Sequence, residues 1–155
     1  HSRILFDRTG WFAALQEKAR VPYPEELAAA IIRHNLPLLR GTISSYRTQL
    51  LKAAKRGDPV SGNHRAAALL ASYFDILYAA NRVTHPGEKR LLEVTQKRCR
   101  LLPAGFPEDV RALLATVGTL YPEPPALEAV VDRLCDRLEA LLGEDSCATR
   151  TADSR

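Results

Sequence analysis

The stretch AAALLASYFDILYAANRVTHPGEKRLL, Ala66 to Leu92, decides the fold. In its first half Leu69, Leu70, Tyr73, Phe74, Ile76, Leu77, Ala79 and Ala80 cover every face of a helix. A helix that is apolar all round is one that neighbours bury on several sides. One narrow polar stripe survives. Asp75, Tyr78 and Arg82 recur at i, i+3 and i+7, beside low relief at Ala71, Ser72 and Ala79. An unpaired carboxylate inside such a helix costs on the order of 3–5 kcal/mol. Asp75 is therefore expected to be buried and paired, with Tyr78, Arg82 or a basic residue of a neighbouring helix.

The second half of the stretch is a stop followed by a restart. Arg82-Val83-Thr84 closes the central helix, and Pro86 is expected to open the next at its first position, where a missing N–H costs nothing. Glu88 would then lie in the first turn, near the positive end of the helix dipole. Lys89 and Arg90 would point outward. The corner thus gathers Asn81, Arg82, His85, Glu88, Lys89 and Arg90. It reads either as a capped turn with solvated charges or as a polar corner facing a ligand or another domain.

Outward from this centre the chain is helical throughout. Arg3 to Phe6 reads as an arriving strand or extended arm, and a first helix follows from Trp11 to about Arg20, with Trp11 as an anchor packing on the bundle. Pro24-Glu25-Glu26 starts another helix with acids in its first turn. Leu27, Ile31, Leu38, Ile43, Tyr46 and Leu50 mark its buried side, with a kink or break at Pro37 and Gly41. Asp58 to Asn63 is a turn into the central helix. Beyond Pro86, Leu91, Leu92, Thr95, Cys99 and Leu102 form the inner stripe of a helix running to about Arg100. A short helix spans Glu108 to Val117. From Ala126 to Leu142 the residues Leu127, Val130, Leu134, Leu138 and Leu141 line one face, and Gly143 is expected to end it. The expectation is an all-α bundle of about six helices over residues 11–143, with 1–10 as an arriving strand or linker and 144–155 as a disordered tail.

Length and composition agree. A chain of 155 residues, 46% hydrophobic and 26% charged, has the make-up of one ordinary soluble domain. No apolar run approaches the roughly 18 residues that cross a bilayer, and no signal peptide opens the chain, so no membrane partner is expected. Cys99, Cys135 and Cys147 are odd in number and widely spaced, which disfavours a disulfide framework and points to a reducing cytoplasm. The net charge of +4 is spread over several helices without an Arg/Lys run interleaved with aromatics, so a solvated surface outweighs a nucleic-acid face. There is no methionine, and a piece of a longer protein is expected.

Catalytic constellations are missing. His1, His34, His64 and His85 form no i, i+4 pair and have no Cys neighbours, which argues against zinc. There is no Gly-rich phosphate loop and no GxSxG. Cys99 and Cys135 fall on inner helix faces as inert core thiols. No catalytic residue and no metal ligand is assigned.

Three segments carry a family resemblance: ILFDRTGWFAALQ (Ile4 to Gln16), YPEELAAAII (Tyr23 to Ile32) and SYFDILYAANRVTHPGEKRLL (Ser72 to Leu92). Together they resemble the helical C-terminal region of a bacterial nucleotidyltransferase family. There, a nucleotidyltransferase domain of the DNA polymerase β type precedes such a bundle. The run N-R-x-x-H-P-G-E-K-R, Asn81 to Arg90, is the most specific part. The resemblance implies a preceding catalytic domain as partner, with Mg²⁺ and a nucleoside triphosphate as that domain's cofactors. It also implies that the bundle walls one side of a cleft and selects an acceptor, a small molecule or a macromolecule. Asp75, Tyr78, Asn81, Arg82, Glu88, Lys89 and Arg90 are the candidates for the acceptor or domain interface. The Gly-Ser turn and Asp-x-Asp pair that hold phosphates and Mg²⁺ in such enzymes do not occur here, so this chain is not expected to transfer nucleotides itself.

Two alternatives stay open. A stand-alone interaction or dimerisation bundle could pair through the Leu127 to Leu142 helix, giving a homodimer. A HEPN-like RNA-processing domain fits less well: that motif needs four to six residues between Arg and His, whereas Arg82 and His85 have two and Arg56 and His64 have seven.

Overall fold

The computed structural model describes residues 3–119 and 123–152, with side chains described as far as Glu144. The described residues contain no strand and form seven α-helices. These are α1 (Trp11–Lys18), α2 (Glu25–Leu36), α3 (Tyr46–Lys55), α4 (Pro59–Ala80), α5 (Leu91–Arg98), α6 (Phe106–Val117) and α7 (Pro124–Ala152). A single π-helical turn, Pro37–Gly41, joins α2 to the loop before α3. The expected break at Pro37 and Gly41 takes this form because Pro37 lacks an N–H and its ring crowds the preceding turn, which widens.

The all-α bundle is as expected, and α4 is its axis. Ten of its 22 residues are buried, among them Leu69, Tyr73, Ile76, Leu77 and Tyr78. It packs against α2, α3 and α6, and α7 closes the bundle against α3 and α6. Tyr73 stacks on Phe106 with ring centroids 6.2 Å apart, and Phe74 meets the same ring edge-on at 5.9 Å. Leu127, Leu134 and Leu138 of α7 are fully buried inside this chain's own core. The stripe proposed for a second copy is therefore already filled, which removes that route to a homodimer.

Several boundaries differ from expectation. The segment Asp58 to Asn63 is not a turn: Pro59 is the first residue of α4, and the Asp58 carboxylate caps it by accepting from Ser61 N–H at 3.0 Å. Pro86 opens no helix, because α5 begins five residues later at Leu91. Gly143 does not end α7, whose backbone stays helical to Ala152. The tail expected at 144–155 falls largely on side chains and residues outside the described ones. Ile43 and Leu27 are exposed rather than buried: Ile43 lies in the loop between the π turn and α3, outside any helical register, and α2 buries Ala28 instead of Leu27. No strand forms at Arg3 to Phe6, and Trp11 is 66% exposed on a helix that buries no residue. The anchor role expected for Trp11 therefore fails.

Charged contacts tie α7 to the other helices. Arg47 forks onto both oxygens of Asp132 (2.6 and 2.8 Å) and reaches Glu128, while Arg40 grips Glu139 and Asp136. Arg47 holds the Asp132 carboxyl below its ordinary value of 3.8. Its contribution is present above that value and is lost as pH falls through the lowered one. Cys99 and Cys135 are buried free thiols, and burial pushes Cys135 up to about 12.

Candidate functional site

The seven candidate residues divide into three groups. Tyr78 is 2% exposed and belongs to the core. Its hydroxyl lies 2.7 Å from Thr95 Oγ1, and that oxygen donates its own proton to Leu91 C=O at 2.8 Å. Tyr78 must then be the donor to Thr95. The bond fastens α5 to α4, and burial raises the Tyr78 phenol. Tyr78 is thus corrected from an interface candidate to a structural one, its ring lying 5.0 Å from that of His85 and tilted to it by 60°.

Asp75 is neither fully buried nor paired. It is half-buried, with no hydrogen bond or ion pair among the described residues. The carboxylate escapes the desolvation cost by reaching solvent at the edge of α4. Asp75→Ala should accordingly move the melting temperature by no more than about 2 °C, as surface substitutions do. A larger drop in a thermal melt would show a burial cost that the geometry does not.

Asn81, Arg82, Glu88, Lys89 and Arg90 form the true corner. Asn81 is its rivet. Its amide donates to Leu77 C=O and Leu101 C=O, and its oxygen accepts from Arg100 N–H and Leu101 N–H, all at 2.8 Å. One side chain thereby joins the end of α4 to the chain emerging from α5, and residues 82–100 become a closed excursion. The helix ends in a Schellman arrangement: Val83 N–H donates to Tyr78 C=O at 3.0 Å and Arg82 N–H to Ala79 C=O at 3.1 Å. The left-handed position this motif requires is normally glycine, yet here it is Arg82, at φ 52°. Arg90 repeats the choice at φ 55° at the start of α5, and Gly87 lies between them at φ 92°. Each non-glycine residue held there costs about 1–2 kcal/mol. For Arg82 the return is visible: its guanidinium grips both oxygens of Glu25 (2.8–3.2 Å) and Ala80 C=O, locking the start of α2 to the corner. Arg82 also holds the Glu25 carboxyl below its ordinary value.

Beyond this base the corner is open. Residues 84–90 are all exposed, including Glu88, Lys89 and Arg90. Glu88 precedes α5 and occupies no helical turn; Glu93 takes that place and binds Arg90 and Lys97. Gly87 N–H donates to His85 Nδ1 at 3.1 Å, which fixes the imidazole as an acceptor. The corner is a rigid platform with a charged top.

A second ionic cluster had no forewarning. Asp109, 3% exposed in the first turn of α6, accepts from Arg133 (2.7 Å) and Arg137 (2.6 Å) of α7. It is the one buried carboxylate among the described residues, and two guanidiniums pair with it. Among the described residues, no group of three or more His, Cys, Asp or Glu side chains could hold a metal ion. No helix of the described residues is long and apolar enough to cross a membrane.

No curated protein and no solved structure matches the chain. A family does: residues 1–91, from the arm through α4 and the corner to the first residue of α5, match DUF4037, a domain of unknown function, and the chain belongs to that family.

Proposed function

We propose that this bundle is the acceptor- or partner-binding domain of a nucleotidyltransferase-like protein, adjoining a catalytic domain that supplies the nucleotide and metal chemistry. The observation that carries this reading is the corner: backbone strain at Arg82 and Arg90 is retained in a loop whose residues 84–90 are all exposed, with the His85 ring lying against Tyr78. Asn81 and the Arg82–Glu25 pair hold the base of the loop that carries Lys89, the kind of support a binding site requires. The exposed arm supports a neighbouring body. Leu5 and Phe6 are 88% and 84% exposed, and Trp11 and Leu15 share one side of α1. An apolar series of this kind is what a covering domain would bury.

The test is nucleotide transfer from each labelled nucleoside triphosphate with Mg²⁺ to a panel of acceptors. It is run on this chain and on the chain with its natural upstream sequence. This chain should be silent and the longer protein active. In the longer protein, Lys89→Ala should lower transfer at least about tenfold, equivalent to about 1.4 kcal/mol, at an unchanged melting temperature. Turnover by this chain alone, or full activity in folded Lys89→Ala, would overturn the reading.

A further inference from the structure

Residues 82–100 carry Arg82, Lys89, Arg90, Lys97, Arg98 and Arg100 against Glu88 and Glu93, a net +4 that equals the net charge of the whole chain. The rest of the molecule balances to zero. All six cations are exposed, and Asn81 pins the two ends of the excursion that carries them together. Arg82 is committed to Glu25. Arg90 and Lys97 share one carboxylate, Glu93, at 2.5 and 2.7 Å. Pairs this exposed are weak, and a phosphate can replace Glu93 at little cost.

We infer that the surface formed by residues 89–100 binds single-stranded nucleic acid through its phosphates. Two observations favour this over an acidic protein. First, no large apolar side chain of residues 82–100 is prominently exposed. The exposed surface of that segment is therefore polar and strongly positive, as nucleic-acid interfaces are. Second, an open groove of about 400 Å³ is walled by Leu70, Phe74, Leu91, Val110 and Leu114, with the Arg90–Glu93 pair also in its lining. An apolar groove beside a phosphate-binding cation takes an unstacked base, and only a single strand offers one. Arg90 thus meets the backbone at the point where a base turns into the groove, and Lys97 continues the track about 10 Å further along α5. Helical spacing makes that track visible: positions 90, 93 and 97 lie on the outer face, while Thr95 faces the core.

This deepens the acceptor reading above. Binding is nevertheless measured on this chain alone, so failure here leaves transferase activity to its own test, and the reverse holds too. The probe is a fluorescent single-stranded RNA of roughly 16 nucleotides, followed by anisotropy between about 50 and 200 mM salt. Its duplex and a polyglutamate of similar charge serve as competitors. With four phosphates engaged, log K should fall against log salt with a slope of about −3, and Lys89→Ala/Lys97→Ala/Arg100→Ala should reduce that slope by about 2. Glu93→Gln should tighten binding several-fold. Leu114→Gln should weaken it without changing the slope, and Lys52→Ala/Lys55→Ala on α3 should leave it unaltered. Thermal melts establish that each variant is folded. Absence of binding at the lowest salt, or parental binding by the folded triple variant, would overturn the inference. Equal competition by polyglutamate would assign the surface to an acidic protein instead. Equal competition by the duplex, with no effect of Leu114→Gln, would remove the single strand.

Discussion

Asp109→Ala should destabilise the fold by about 2–3 kcal/mol, read from urea unfolding with an unchanged m-value. Removing one partner of a fully buried ion pair typically costs about 3–5 kcal/mol, because a desolvated charge is left behind. Here Arg133 and Arg137 have side chains 42% and 39% exposed, so they regain water once released. That relief places the loss at or below the lower end of that range. It corresponds to a fall in melting temperature of roughly 5–10 °C for a chain of this size. Asp109→Asn should lose less, since its amide oxygen still accepts from one guanidinium. Gly105→Ala provides the cross-check. Gly105 has φ 66°, where a Cβ is strained, and a Cβ there would meet the Arg137 guanidinium. Both substitutions damage the same contact, so their effects should add to less than their sum. Full additivity would mean that Arg137 contributes nothing through Asp109.

The contrast between two prolines shows what was legible in the fold. Pro59 and Pro86 both suit the first position of a helix, yet only Pro59 occupies one. Asp58 precedes Pro59 and supplies the capping oxygen. His85 precedes Pro86, and its ring accepts from Gly87 N–H within the loop instead. Proline alone is permissive; proline after a capping residue is a start. The apolar series of α4 and α7 needed no such help, since burial of those stripes decides the packing whatever happens at the ends. Gly143 misled for the opposite reason. A glycine inside a helix costs only about 1 kcal/mol relative to alanine, too little to end a helix that the bundle holds.

The site was less legible than the fold. The polar stripe on α4 was seen, but helical spacing cannot tell an inward hydroxyl from an outward one. Tyr78 therefore looked like a ligand group until Thr95 appeared beside it. The left-handed residues gave no signal, because Arg82 and Arg90 stand where glycine would announce the geometry. Summing charge over the excursion rather than over the whole chain would have found the surface that extends past Arg90 to Arg100.

Asn81→Ala is the substitution expected to couple stability to the proposed binding surface. It removes four hydrogen bonds to the main chain and leaves two N–H groups and one C=O without a side-chain partner. Leu77 C=O keeps Asn81 N–H as its helical donor, at 3.1 Å. The site is half-buried, so water recovers part of the loss, and at about 0.5–1.5 kcal/mol per bond the total is about 2–5 kcal/mol. More specifically, the excursion loses its base. Residues 82–100 would then be held by the Tyr78–Thr95 bond, the Schellman turn, the Arg82–Glu25 pair and the packing of Leu91, Leu92 and Cys99 on the core, while Lys89 and Arg100 would lose the fixed spacing that Asn81 sets at Arg100. Hydrogen exchange at the Arg100 and Leu101 amides should accelerate far more than at the amides of Leu77 or Leu134 in the core. RNA affinity should fall at temperatures where circular dichroism shows the bundle intact, because ordering the loop is then charged to binding. Asn81→Asp separates the two functions of the side chain: it keeps the oxygens that accept from Arg100 and Leu101, and loses the donors to Leu77 and Leu101. If the acceptor half holds the excursion, Asn81→Asp should retain slow exchange at Arg100 and most of the affinity. Equal losses in both variants would instead show that the rivet works through its bonds to Leu77 and Leu101 carbonyls, at the end of α4, and that the cationic surface is positioned from there.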